Sequence, residues 1–138
     1  MAQSGFFTIV PDALDSHSAG PLVDELMAEM AARYPEEGAG KRSDPRDFSA
    51  PGADFLVVWA DGRPVACGGV RRWAEGTAEI KRMYVALGYR GRGIAGKLLG
   101  ELEERAAQMG YRRVRLETGT AQPEAQSPTD QDSRPGKR

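Results

Sequence analysis

Length, composition and charge limit the classes of protein to consider. The chain has 138 residues, a formal net charge of -1 and 40% hydrophobic residues, as expected for a single globular domain. Near neutrality gives no general attraction to nucleic acid or to anionic membranes. No apolar run approaches the roughly 18 residues of a membrane helix, and the N-terminus lacks the pattern of a secretion signal. We therefore predict a cytoplasmic protein without nucleic-acid or membrane partners.

Two residue types that often mark active sites occur once each. Cys67 lies in an apolar stretch beside Ala66 and Val70, so we interpret it as a buried structural thiol and not as a nucleophile. A single cysteine cannot form an internal disulfide and fits a reducing compartment. His17 lies in a polar, loop-like segment, and we do not favour it as a base.

The first part of the chain predicts a strand, a helix and a long loop. Residues 6–10 are typical of a strand that Pro11 stops. Apolar residues recur at helical spacing over residues 21–34, with Pro21 at a favourable first position. Residues 36–52 are rich in Gly, Pro and charge, with a short helical turn expected near Pro45–Phe48. Long loops are often functional, although a mobile surface linker fits this composition equally well.

The middle of the chain predicts an antiparallel meander of three strands, residues 55–59, 65–73 and 77–85. Asp61-Gly62 is a strong hairpin signal, and Gly68-Gly69 indicates a bulge or a close approach of backbones. A further strand over residues 113–117 follows a helix, and a strand–helix–strand unit of this length implies a parallel pair. Ligands often bind in the crevice where the direction of a sheet changes in this way.

Residues 79–109 include the last strand of the meander and that helix, and their sequence predicts a strand, a glycine-rich loop and a helix in succession. Gly88, Gly91 and Gly93 interrupt the apolar strand, with Arg90 and Arg92 between them. Apolar residues then follow helical spacing from Ile94 to a stop at Gly110. A helix N-terminus presents unpaired N–H groups, and glycines let a phosphate come close to them. We therefore predict a phosphate-binding loop.

Two familiar phosphate-binding patterns fit this loop poorly. Residues 91–96 match the letters of the dinucleotide pattern G-x-G-x-x-G, and Glu117 lies where a ribose-binding acid would be expected. However, that pattern requires the strand to run directly into the first glycine, whereas residues 86–90 intervene here. A P-loop is excluded because Leu98 stands after Lys97, where a Ser or Thr would be needed for magnesium.

A third pattern fits better. Arg90-Gly-Arg-Gly-Ile-Ala95 resembles the Arg/Gln-x-x-Gly-x-Gly/Ala signature of the GCN5-related N-acetyltransferase (GNAT) superfamily, and the flanking strands at residues 78–85 and 115–119 are also similar. The resemblance covers roughly residues 6–125. It implies an α+β fold of three layers, with a mixed, mostly antiparallel sheet and one parallel step. It also implies an N-acetyltransferase that takes acetyl-coenzyme A as co-substrate, needs no metal and acetylates a primary amine.

The resemblance assigns roles to particular residues. The loop would hold the diphosphate of the cofactor, through Arg90, Gly91, Arg92, Gly93, Ile94 and Ala95. The backbone of Met83, Tyr84 and Val85 would hydrogen-bond the pantetheine arm, and an N–H near Met83 would stabilise the oxyanion. Glu79 matches the position of a catalytic base in the histone-acetylating branch; the alternative is a strand carboxylate paired with Lys81 or Arg82. Residues 36–52 would contribute to acceptor selection.

The C-terminus departs from the family pattern. Relatives continue into a helix with a tyrosine that protonates the leaving thiolate, and then into two more strands. Here residues 126–138 are polar, so we predict a domain over residues 1–125, a disordered tail and a sheet without the last strands of the family. The strand at 113–117 would then be an exposed edge, open to homodimer formation.

Two less favoured functions follow from these observations. One is a catalytically weak or inactive acyl-coenzyme A binding module that acts through a protein partner, because the missing elements include the general acid. The other is a nucleic-acid contact through Arg112, Arg113 and Arg115, which near neutrality and the lack of stacking aromatics disfavour. We favour packing roles for Tyr84, Tyr89 and Tyr111. The sequence does not indicate which amine is the acceptor.

Overall fold

The computed structural model describes residues 7–33 and 44–117, which form five strands and two α-helices. In chain order the elements are β1 Thr8–Pro11, α1 Ala19–Arg33, β2 Asp54–Ala60, β3 Arg63–Ala74, β4 Thr77–Val85, α2 Ile94–Gln108 and β5 Arg113–Leu116. Short 3-10 turns occupy Pro45–Phe48, as predicted, and Leu87–Tyr89. Strand β1 ends at Pro11, which confirms the predicted stop.

The strands form one sheet in the order β1-β2-β3-β4-β5. The first four pair antiparallel and β5 pairs parallel to β4, which confirms the mixed sheet with one parallel step. The parallel ladder joins residues 77–80 to residues 113–116. It therefore ends at Ile80 and leaves the second half of β4 beyond it.

A β-bulge interrupts β4 just after this ladder ends. Gly69 pairs with Lys81 but Cys67 pairs with Tyr84, so two steps along β3 face three along β4. Arg82, with φ of 60°, adopts the left-handed conformation that accommodates the extra residue. The glycines at 68 and 69 are required for close packing, because a Cβ at Gly69 would lie 2.5 Å from the Phe48 ring.

One helix packs on each face of the sheet and gives the predicted three layers. On one face, α2 buries a stripe at i,i+4 spacing, namely Ile94, Leu98, Leu102 and Ala106, against the sheet. On the other face, α1 buries Leu22, Val23, Leu26 and Met27. Cys67 lies in this second core with no exposed surface, and burial raises the pKa of its thiol to about 12. The prediction of a structural cysteine is confirmed.

Helix boundaries follow from local hydrogen bonds. The Ser16 hydroxyl accepts a bond from the Ala19 N–H (2.9 Å) and caps α1. The helix therefore begins at Ala19, two residues before the predicted start at Pro21. After α2, Gly110 adopts φ of 97°, which confirms it as the helix stop. Neither described helix is long and apolar enough to cross a membrane. The predicted tail at 126–138 and much of the predicted loop at 36–52 lie outside the described residues.

Candidate functional site

The site begins where β4 and β5 separate. The N–H of Glu117 donates to the C=O of Ile80 (2.8 Å), and among the described residues this is the last backbone bond between the two strands. Beyond it, the Glu117 carboxylate accepts a bond from the Arg82 N–H (3.1 Å). A side chain thus takes the place of the next ladder bond, and residues 81–85 of β4 have no strand partner on that side in the described part of the chain.

A cavity of about 580 Å³ lies in the opening between the two strands. Its walls come from the end of α1, the open half of β4, the loop before α2, the first turns of α2, and the end of β5. From α1 they include Leu26, Glu29, Met30 and Arg33; from β4, Ile80, Lys81, Arg82, Met83, Tyr84 and Val85; from the loop and α2, Tyr89, Arg90, Gly91, Gly93, Ile94, Ala95, Gly96 and Leu99; and from the end of β5 and the residue after it, Leu116 and Glu117.

The backbone of β4 turns hydrogen-bonding groups towards this cavity. Ala86 donates its N–H to Val65 on β3 (2.8 Å). Because successive residues of a regular strand point their backbone groups to opposite sides, the N–H of Val85 faces away from β3 and towards the opening. An extended ligand laid along this edge could therefore bond to β4 as an added strand does.

The loop before α2 presents bare amides at one end of the cavity. Gly91 and Gly93 have φ of 80° and 83°, and no side chain caps the helix at Gly93. The helix begins with the Lys97 N–H donating to the Gly93 C=O, so the N–H groups of residues 94–96 have no acceptor within the helix. A Cβ at Gly91 or Gly93 would meet no atom within 4 Å. Backbone conformation and access, and not packing, account for these glycines.

Arg90 holds the loop to its neighbours. Its Nε donates to the C=O of Val85 (2.7 Å), and its two terminal nitrogens donate to the Glu29 carboxylate on α1 (3.0 and 3.3 Å). These hydrogen bonds lower the pKa of Glu29 and raise the pKa of Arg90. The guanidinium also lies 5.3 Å from the centre of the Tyr84 ring. Arg90 therefore links the loop, the end of β4 and α1.

Arg92 lies outside the cavity wall. Its guanidinium donates to the C=O of Gly88 (3.3 Å) and stacks 4.7 Å from the centre of the Tyr89 ring. The Tyr89 hydroxyl donates to Asp61 (3.0 Å), and the Tyr111 hydroxyl donates to the C=O of Gly52 (2.7 Å). Both hydroxyls are engaged in structural bonds, in agreement with the packing roles expected for these tyrosines.

Glu79 also lies outside the cavity wall, on the paired half of β4. Its carboxylate is 5% exposed and forms ion pairs with Arg115 on β5 (2.7 Å) and Arg71 on β3 (3.4 Å). The partners considered from sequence were Lys81 and Arg82, which instead contact Glu117. Two guanidinium groups that contact this carboxylate favour its charged form and oppose its uptake of a proton from an amine. Its role as a base stays a prediction.

Eight of the ten predicted site residues therefore line one cavity, and Glu79 and Arg92 do not. Sequence reasoning missed Glu29, Lys81 and Glu117 as cavity residues. Glu117 carried a signal, because it ends the strand after the glycine-rich helix. Glu29 carried none, since it lies 61 positions from Arg90. Among residues 7–33 and 44–117, no three His, Cys, Asp or Glu side chains cluster as a metal site requires.

Comparisons with known proteins agree with this geometry. Residues 21–127 match the model of the family described as "Acetyltransferase (GNAT) family". The chain is 34% identical to the IAA acetyltransferase of Azospirillum brasilense over 102 residues, which are 73% of this chain and 66% of that protein. The aligned part thus spans just under two thirds of that relative's length.

Two similar solved structures contain the cofactor named in their descriptions. The PaiA N-acetyltransferase of Thermoplasma acidophilum, in complex with coenzyme A, superposes with a TM-score of 0.67 at 19% identity and covers 87% of this chain and 84% of its own. A GNAT family acetyltransferase of Elizabethkingia anophelis with acetyl-CoA bound gives 0.60 at 19% identity, over 86% of this chain and 69% of its own. At these identities the likeness shows the fold.

Proposed function

This chain belongs to the GNAT acetyltransferase family, and we propose that it is an N-acetyltransferase that moves the acetyl group of acetyl-coenzyme A to a primary amine. The observation that supports this most strongly is the pairing of an open strand edge with bare helix amides in one cavity. The edge fits an extended amide-containing arm, and the amides fit a diphosphate. Coenzyme A has both such an arm and a diphosphate.

The cofactor would occupy the cavity in a defined direction. Its diphosphate would lie against the N–H groups of residues 91–96, at the positive end of the α2 dipole. Its pantetheine arm would run back along residues 83–85 towards the point where β5 leaves β4. The thioester would then lie near Met83, and the N–H of Met83 is the proposed donor to the oxyanion.

The reaction requires three proton movements around one exchange of bonds. The amine nitrogen attacks the thioester carbon, the new C–N bond forms, the nitrogen gives up a second proton to water, the C–S bond breaks and the thiolate leaves. An alkylamine has a pKa near 10, so it must first lose a proton. The thiolate then takes up a proton, which water in this open cavity can supply. We retain Glu79 as the proposed base, acting after one of its ion pairs opens or through a water molecule.

Two measurements test this function together. Calorimetry with acetyl-coenzyme A should show binding, and a thiol-release assay over a panel of primary amines should show turnover with at least one of them. Binding without release from any amine would favour the alternative, an acyl-coenzyme A binding module that acts through a protein partner. Absence of binding would contradict both proposals.

Homodimer formation through β5 remains a second proposal about assembly. β5 pairs with β4 on one side, and no strand among the described residues pairs with its other side. An unpaired edge can accept a strand from a second copy. Sedimentation should then show a dimer whose β5 amides exchange slowly with solvent. A monomer with fast-exchanging β5 amides would contradict it.

A further inference from the structure

The wall of the cavity carries more positive than negative side chains. Four cationic and two acidic side chains line it, and they form two groups. In the first group, beside the loop, Arg90 and Arg33 both contact Glu29. In the second group, where the strands separate, Arg82 and Lys81 both contact Glu117. We refer to the second group, Lys81, Arg82 and Glu117, as the floor of the cavity. Each group has two cations that share one carboxylate.

Within the floor, Arg82 engages both oxygens of Glu117. The Arg82 N–H donates to Oε1 (3.1 Å) and Nη1 donates to Oε2 (2.9 Å). The Lys81 ammonium lies 3.6 Å from Oε2, beyond hydrogen-bond distance. This is the one ion pair that the described residues give Lys81, although its side chain is only 17% exposed. A cation removed from water to this extent is stabilised by a close anion.

The phosphates of the cofactor are poorly placed to be that anion. They are expected at the loop, which begins beyond Val85. At about 3.3 Å per residue, Lys81 lies roughly 10–13 Å before Val85 along β4. The reactive end of the cofactor, which is expected nearer the floor, is a neutral thioester. The positive charge beside the loop therefore suits the cofactor, and the positive charge at the floor suits a different molecule.

We propose that the floor binds an acidic group on the acceptor, so that the substrate is an amine that also carries a carboxylate. Lys81 is the partner of that carboxylate, and the amino group of the same molecule is held near the thioester. This inference rests on the proposed acetyltransferase function and specifies its acceptor class. Glu117 keeps Arg82 and the bulge of β4 in place, which leaves the Lys81 ammonium available for the substrate.

Matched pairs of amines test the inference. We would measure kcat/KM for 4-aminobutyrate against n-butylamine, and for 5-aminopentanoate against n-pentylamine, because the members of each pair differ in the carboxylate and have amines of similar pKa. The wild-type chain should prefer the carboxylated member by about tenfold or more, the effect of one hydrogen bond to a charged group. K81M should remove the preference by raising KM for the carboxylated amines only, and K81R should restore part of it.

Control variants and binding measurements make the outcome unambiguous. K97M removes the same charge from an exposed site on α2 outside the cavity wall, so it should keep the wild-type preference. Equal affinity of the wild type for both members of each pair, or an equal loss of kcat for every amine in K81M, would overturn the inference. The second result would indicate a role at the leaving thiolate.

Equilibrium binding separates this inference from the proposed function. Calorimetry of the same amines with the coenzyme A complex requires no turnover. If no amine releases thiol, the acetyltransferase proposal fails, while a carboxylate preference in binding that K81M removes would still support the acceptor class. If neither binding nor turnover shows the preference, the inference fails by itself. Thermal melting of K81M shows whether the variant is folded.

Discussion

The two halves of β4 have the same neighbour on one side and different neighbours on the other. Residues 77–80 pair with β5, and there Glu79 is enclosed by Arg71 and Arg115. Residues 81–85 have no such partner in the described structure and line the cavity. One strand thus provides a fixed half and a binding half. The backbone groups available to a ligand are those that the sheet itself does not use.

The bulge at Arg82 marks the boundary between these halves. A non-glycine residue in the left-handed region costs about 1 kcal/mol or more. The bonds from the Arg82 N–H and guanidinium to Glu117 offset that cost. The extra residue also shifts the register of β4 against β3 by one. Strain and its compensation therefore lie beside the proposed thioester site.

The largest effect is expected in the binding half, from G93V. A branched side chain at φ of 83° strains the loop and covers the amides that are proposed to bind the diphosphate. We expect coenzyme A affinity to fall about 100-fold, which corresponds to ~2.7 kcal/mol. Calorimetry measures this affinity. G100A, at an exposed helical glycine, is the control and should leave the affinity unchanged. If G93V bound coenzyme A as tightly as the wild type, the loop would not be part of the binding site.

The fixed half should respond in stability and not in cofactor binding. E79Q removes the charge that Arg71 and Arg115 share, and both arginines are about one third exposed. We therefore expect the free energy of unfolding to fall by about 2 kcal/mol, less than for a fully buried pair. Urea denaturation measures this change, and coenzyme A affinity should stay within twofold.

Turnover of E79Q then tests the proposed base. A general base contributes ~10²–10⁴-fold, so kcat should fall by at least about 100-fold if Glu79 takes the proton from the amine. An unchanged kcat together with the loss of stability would show that Glu79 is a structural carboxylate. Measurement below the melting temperature of the variant keeps unfolding out of the comparison.

A smaller effect is expected where the loop joins α1. R90M removes the bonds to Val85 and Glu29, and we expect coenzyme A affinity to fall about tenfold through loss of loop order. E29Q should cost less, because the bond to Val85 remains. Since both changes act on one contact, the double variant should be no weaker than R90M. Additive losses would show that Glu29 and Arg90 act independently. R46M removes the same charge from an exposed turn and is the control, so it should leave coenzyme A affinity unchanged.

The smallest effect is the pH dependence of stability that Glu29 contributes. The hydrogen bond from Arg90 lowers the pKa of Glu29 below 4.5. A lowered carboxyl pKa stabilises the folded state above pH about 4.5, and this contribution is lost as the pH falls through the folded value. Because Glu29 is 31% exposed, we expect less than about 1 kcal/mol. The difference in unfolding free energy between wild type and E29Q should shrink from pH 7 to pH 3; a constant difference would contradict it.

Local patterns predicted the fold well because each element carries its own signal. The meander followed from the Asp61-Gly62 turn and the short apolar runs on either side of it, and the loop followed from Gly91 and Gly93 before a helical stripe. The contacts of Arg90 with Glu29 and of Glu79 with Arg71 and Arg115 could not be predicted in this way. They join distant parts of the chain, and their geometry depends on how α1 and β5 lie against β4.

The most direct test is an amide NMR titration of the chain with coenzyme A. The account predicts large shifts and slower exchange for the amides of Met83, Val85 and residues 91–96, with little change at residues 78–80. That result would show that the cofactor bonds to the open half of β4 and to the helix amides. Shifts concentrated at residues 78–80 and 113–116, with the loop amides unchanged, would contradict the account.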